Sequence, residues 1–142
     1  MKTTIITKQA VLSVENNIIE DTSFTMLNML RFREQADYGT RPDIKPCSGR
    51  NAYLQHYIPA FNEAAKAEGV TDIQIIYIGS VAGAVVAPAD EYWDIIALVQ
   101  YPNYAAFRKV SESFVYLQKA EYHRQAALDD LRLIATTPFT ST

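Results

Sequence analysis

Residues 93–107 read WDIIALVQYPNYAAF, a run of branched apolar side chains that meets a proline and then opens a helix. Neighbouring residues of a strand point to opposite faces of its sheet. On that rule Trp93, Ile95, Ala97 and Val99 share one face while Ile96 and Leu98 share the other, so both faces are apolar. An antiparallel sheet with one wet face alternates apolar with polar instead. Whatever sheet this strand joins therefore needs cover on both sides.

Two other runs behave the same way. FTMLNMLRF (24–32) has no breaker and reads as a strand, with Phe24, Met26, Leu30 and Phe32 opposed to Leu27 and Met29. DIQIIYIGSVAGAVV (72–86) sets Ile73, Ile75 and Tyr77 against Ile76 and Ile78, and its Gly79 and Gly83 signal a bulge or twist. A short APADEY turn then makes this run an antiparallel hairpin with the strand at 93–100. LRLIAT (131–136) forms a last short strand before a polar tail at 137–142.

Between the strands lie helical patterns. Ser48 is a helix cap, and Leu54, Ile58, Phe61 and Ala65 then follow one helical face. Pro59 removes the amide that would bond back to Gln55, which predicts a bend, and Gly69 ends the helix. A second helix opens at Pro102 and Asn103, breaks near SES (111–113) and continues through FVYLQKAEYHRQAAL. Residues 33–50 collect charges, prolines and glycines into a long loop. Residues 1–22 form an extension with a helical turn or two at QAVLSVE.

The order strand, helix, strand, strand, helix, strand is the ferredoxin-like βαββαβ arrangement, an α+β fold whose helices share one face of a four-stranded antiparallel sheet. Two helices cover one face only. The second apolar face implies a homodimer formed through the sheet, or else an N-terminal extension folded across it.

Composition narrows the function classes. The 142 residues suit one domain, with 49% hydrophobic and 20% charged side chains. Thirteen basic against 16 acidic residues, with no basic cluster, argue against nucleic acid. Cys47 stands alone, so an internal disulfide is excluded and a reducing, cytoplasmic setting fits. No segment has the length of a membrane span or of a signal-peptide core. His56 and His123 form no helix-borne ligand pair, so no metal and no cofactor are expected.

The set MLNMLRF, AYLQHYIPAF, EYWDIIALVQYPNYAAF and EYHRQAALDDLRLIAT, in that order from Phe24 to Thr136, resembles an uncharacterised bacterial family of the dimeric α+β barrel superfamily. The resemblance implies a ferredoxin-like subunit whose sheet packs on its partner's to close a barrel. It also implies a class of activities, among them cofactor-independent monooxygenases for aromatics and lactone isomerases. The loop at 37–50 is longer than that family's pattern.

Candidate site residues follow from chemistry. Tyr53 and Tyr57 lie one turn apart at the edge of the helix's core face, where their hydroxyls can enter a cleft above the sheet. Core-edge tyrosines are the plain alternative. Asn28 sits mid-strand between apolar neighbours, where a buried amide needs partners. His123 and Arg124 form a candidate catalytic pair for acid–base work on an oxygenated substrate, against the alternative that Arg124 pairs with Asp94 or Asp130. Trp93 and Asp94 open their strand as candidate ligand contacts, against core packing and a turn cap. Two functions remain. One is a cofactor-independent oxygenase or isomerase for a small aromatic or cyclic substrate; the other is a non-catalytic binder or homodimeric interaction module.

Overall fold

The computed structural model describes residues 1–41 and 43–140. Pro42 in the long loop and the last two residues of the expected tail lie outside them. Local chemistry starts several of the helices. The Thr7 hydroxyl accepts from the Ala10 amide to open α1 (Lys8–Glu15), and Ser48 does the same for Asn51 ahead of α2 (Gly49–Asn51). β1 (Phe24–Phe32) lies between them, with the bounds its sequence predicts.

After α2 the chain widens into a π-helical stretch (Ala52–Tyr57) and then narrows again to α3 (Ile58–Ala67). Where the sequence predicts a bend at Pro59, the structure inserts this wider turn. A proline ring crowds the carbonyl four residues back. Here the Ile58 amide reaches five residues back to Tyr53, which opens the turn ahead of the ring. The wider turn also shifts the inner face. Leu54, placed in the core by helical spacing, is exposed, while Tyr57 is buried and Tyr53 half-buried. Gly69, at φ +71°, ends the helix as predicted.

β2 (Gln74–Ser80) is shorter than its sequence pattern, and residues 81–94 join it to β3 (Ile95–Tyr101) as an irregular excursion in place of a tight turn. The second helical region is three helices, α4 (Tyr104–Ser111), α5 (Phe114–Lys119) and α6 (Glu121–Ala127), the first two capped by Asn103 and Ser113. β4 (Leu128–Thr136) begins three residues before its predicted start.

The strands form one antiparallel sheet in the order β2-β3-β1-β4, the ferredoxin-like order, with the helices on one face. A bulge between Ile75 and Tyr77 corrects the simple alternation of β2. Ile75 and Ile78 pair with Val99 and Ala97 on the helix side, while Tyr77 pairs with Leu98 on the open side.

The expected dimeric α+β barrel is corrected: the sheet is not closed into a barrel. Among the described residues no further strand pairs with either edge. The N-terminal residues lie along the β4 edge without forming a strand, the Leu131 amide donating to the Thr3 carbonyl and the Thr3 amide to Asp130 Oδ1, and β2, seven residues long and bulged, stands almost wholly exposed at the other edge. The face count that suggested closure ignores how side chains at the open face shield one another. Leu27, Met29, Ile96 and Leu98 there are only half exposed, and Arg31 and Arg132 lie over the rings of Tyr92 and Trp93, at 3.6 and 5.2 Å.

Residues 1–22 do not cross the open face either. Val11, with Ile6, Val14 and Ile18 around it, packs on Phe24, Met26, Tyr104 and Phe107, on the helix side. The Tyr104 hydroxyl donates to the Val11 carbonyl at 2.9 Å and pins the extension there.

A cleft between helix and sheet as the candidate functional site

The helical layer stops short of β2. Between α3 and the sheet this leaves a cleft of about 410 Å³, within the usual size for a small-molecule site. Its floor is the helix side of the sheet, including Asn28, Ala97 and Val99; its wall is Tyr53, Tyr57, Ile58 and Phe61; Ile75 and Ile78 stand at the mouth. The π-helical stretch is what turns Tyr53 and Tyr57 onto this wall, their rings 4.9 Å apart.

The polar groups are few. The Asn28 side-chain amide donates to the Met26 carbonyl at 3.1 Å, which leaves its oxygen beside the cleft. The Tyr57 hydroxyl lies 3.0 Å from the Tyr116 hydroxyl, to which Arg124 Nε donates, also at 3.0 Å. Burial drives the acidity of Tyr53, Tyr57 and Tyr101 well below that of a free phenol, and their mutual proximity and that of Tyr116 add to the effect. These phenols stay protonated and act as neutral hydrogen-bonding groups.

Arg124 is 2% exposed and anchored by the Thr4 carbonyl at 2.6 Å. Its Nη2 is buried without a hydrogen bond, 3.8 Å from Glu121 Oε1. It pairs with neither Asp94 nor Asp130. Asp94 accepts the Phe32 amide at 2.8 Å and ties the start of β3 to β1, and Asp130 pairs with Arg132.

His123 does not share Arg124's surroundings. It lies in a separate group with Tyr38, Tyr122 and His56, where the Tyr38 hydroxyl meets its Nδ1 at 2.6 Å and the His56 ring stacks at 5.2 Å. Burial, then the neighbouring His56 and Arg41 charges, push its pKa down to about 4, so the neutral ring accepts from Tyr38. Burial, with Cys47 and Tyr122 nearby, raises Tyr38 to about 12. Neither His123 nor Arg124 lines the cleft, and Trp93 and Asp94 lie outside it as well. Asn28, Tyr53 and Tyr57 line it together.

Sequence reasoning passed over Tyr101 and Tyr116. Tyr101 has the strand parity of Ala97 and Val99, which alone places it toward the helices. Tyr116 precedes Arg124 by eight residues, about two helical turns, a spacing that puts both on one side.

Fold and cleft together define a small ferredoxin-like α+β domain with an apolar, tyrosine-walled cavity and an open sheet. The chain is similar to a solved protein of unknown function from Rhodopseudomonas palustris, RPA0582, a structural genomics target. The two are 28% identical over 99% of each chain, with a TM-score of 0.80. The methylated form of RPA0582 matches at 28% identity and a TM-score of 0.78, over 99% of this chain and 97% of that one. No protein-family model and no curated protein matches the chain.

These likenesses correct the resemblance drawn from sequence, because the fold they support is an open-sheeted α+β domain and not a barrel. The monooxygenase expectation is corrected too. It required a proton-transfer group at the substrate, whereas His123 sits outside the cleft, hydrogen-bonded to Tyr38. Among the described residues no group of three or more His, Cys, Asp or Glu is placed to hold a metal ion, and no helix is long and apolar enough to cross a membrane.

Proposed function

We propose that the chain binds a small apolar or aromatic molecule in the cleft between α3 and the sheet, as a binder and not as a catalyst. The observation that carries this reading is the joint placement of Asn28, Tyr53 and Tyr57 among aliphatic walls in one cavity of ligand size. Apolar walls supply affinity in proportion to the area buried, and a few fixed polar groups set orientation. The lone thiol of Cys47 suits a reducing compartment such as the cytoplasm.

The test is titration with a naphthalene-type fluorophore, 2-ethylnaphthalene, into the protein and into Ala97→Phe, which fills the cleft floor. Saturable binding that Ala97→Phe abolishes, with the circular dichroism spectrum kept, supports the reading. Absence of saturable binding by the parent chain, or equal binding by the filled variant, refutes it.

A separate set of residues favours a second reading, self-association with another copy. Val85 and Val86 stand fully exposed on the 81–94 excursion, and Tyr77 beside it is 59% exposed on the open face. The valines of the excursion are uncovered and the open face beside them carries partly shielded apolar side chains, so an exchange between two copies would bury each on the other at one interface.

A further inference from the structure

The row of hydroxyls behind the cleft has a direction. A guanidinium only donates, so the Tyr116 oxygen accepts from Arg124 Nε. The Tyr116 proton must then go elsewhere, and the Tyr57 oxygen lies 3.0 Å away to take it. In the reverse order, with Tyr57 donating, the Tyr116 proton would face only a guanidinium and another donor. Tyr116 is 3% exposed, and an unmet donor there would cost about 1–3 kcal/mol. The order Arg124 to Tyr116 to Tyr57 avoids that. It leaves one proton over, on Tyr57, the member of the row that lines the cleft.

Arg124 holds this order in place. The Thr4 carbonyl fixes its guanidinium, and its charge polarises each hydroxyl in turn along the row. A hydrocarbon-filled cleft leaves the Tyr57 donor unused. An occupant with an oxygen lone pair completes the row.

Resting on the binding function above, we propose that the cleft selects apolar molecules bearing an acceptor oxygen, a ketone, ester or carboxylate, which receives the hydrogen of the Tyr57 hydroxyl. The test compares 2-acetylnaphthalene with 2-ethylnaphthalene, which share rings and substituent size and differ in the carbonyl. The parent chain is expected to bind the ketone about tenfold more tightly, the scale of one well-placed hydrogen bond. Tyr57→Phe brings the two affinities to within about twofold, and an unchanged circular dichroism spectrum shows that the variant is folded. The carbonyl stretch of the bound ketone lies at lower wavenumber in the parent chain than in Tyr57→Phe. Equal affinity for both probes in the parent chain, or a preference that survives Tyr57→Phe, overturns the inference and leaves the binding function standing. Failure of both probes to bind removes the binding function and the inference with it.

Discussion

His123 shows how little a residue's type settles without its neighbours. An unfolded chain takes up a proton on this ring near pH 6.5, whereas the folded one resists until about pH 4 because the ring is buried beside His56 and Arg41. The folded pKa is the lower, so the unfolded state binds more protons between those values. The stability this adds is complete above pH 6.5 and is lost as the pH falls toward 4. Urea unfolding midpoints should therefore drop between pH 6.5 and 4, and His123→Gln should flatten that drop. An equally steep drop in the variant would show that other groups carry it. The sequence makes His123 a pH-sensitive group near an arginine. It does not show that Tyr38, 85 residues away, holds it aside from Arg124's surroundings, because that contact depends on the path of the 33–50 loop.

Elements whose cause is local were legible, and those set by distant packing were not. Ser48, Asn103 and Gly69 punctuate helices through hydrogen bonds or dihedral angles within a few residues, so their spacing is visible in the chain. The π-helical stretch was visible only as the problem posed by Pro59, and its solution reassigned the inner face from Leu54 to Tyr53 and Tyr57. The bulge in β2 likewise moved Tyr77 to the open face, a one-residue change that no periodicity count carries. Tight approach of elements is equally silent. A methyl group on Gly49 would strike the carbonyl oxygens of Arg33 and Ala127, where α2 is pressed between the end of β1 and α6. Gly49→Ala is expected to cost about 2–3 kcal/mol through overpacking and to lower the thermal midpoint by roughly 5–10 °C. An unchanged midpoint would mean that α2 sits further from those carbonyls than described.

At the scale of the molecule, the apolar second face was read correctly as a fact about composition and wrongly as evidence of a barrel. Shielding among the open-face side chains, with the cation–ring contacts of Arg31 and Arg132, answers part of the demand for cover. The 81–94 excursion is what remains uncovered. If a second copy covers it, sedimentation velocity at micromolar concentration should show a dimer, and Val85→Asp with Val86→Asp should leave a folded monomer. A monomeric parent chain would remove that second reading and leave the cleft untouched, since the cleft opens on the opposite face.

The central claim, that the space between α3 and the sheet is a ligand site, is tested most directly by locating a bound molecule. In a methyl-labelled sample saturated with 2-acetylnaphthalene, nuclear Overhauser contacts from the ring protons should fall on the methyl groups of Ala97, Val99 and Ile58, which line the cleft floor and wall. Contacts confined to Val85, Val86 or Ile134, on the exposed surface, would contradict the account.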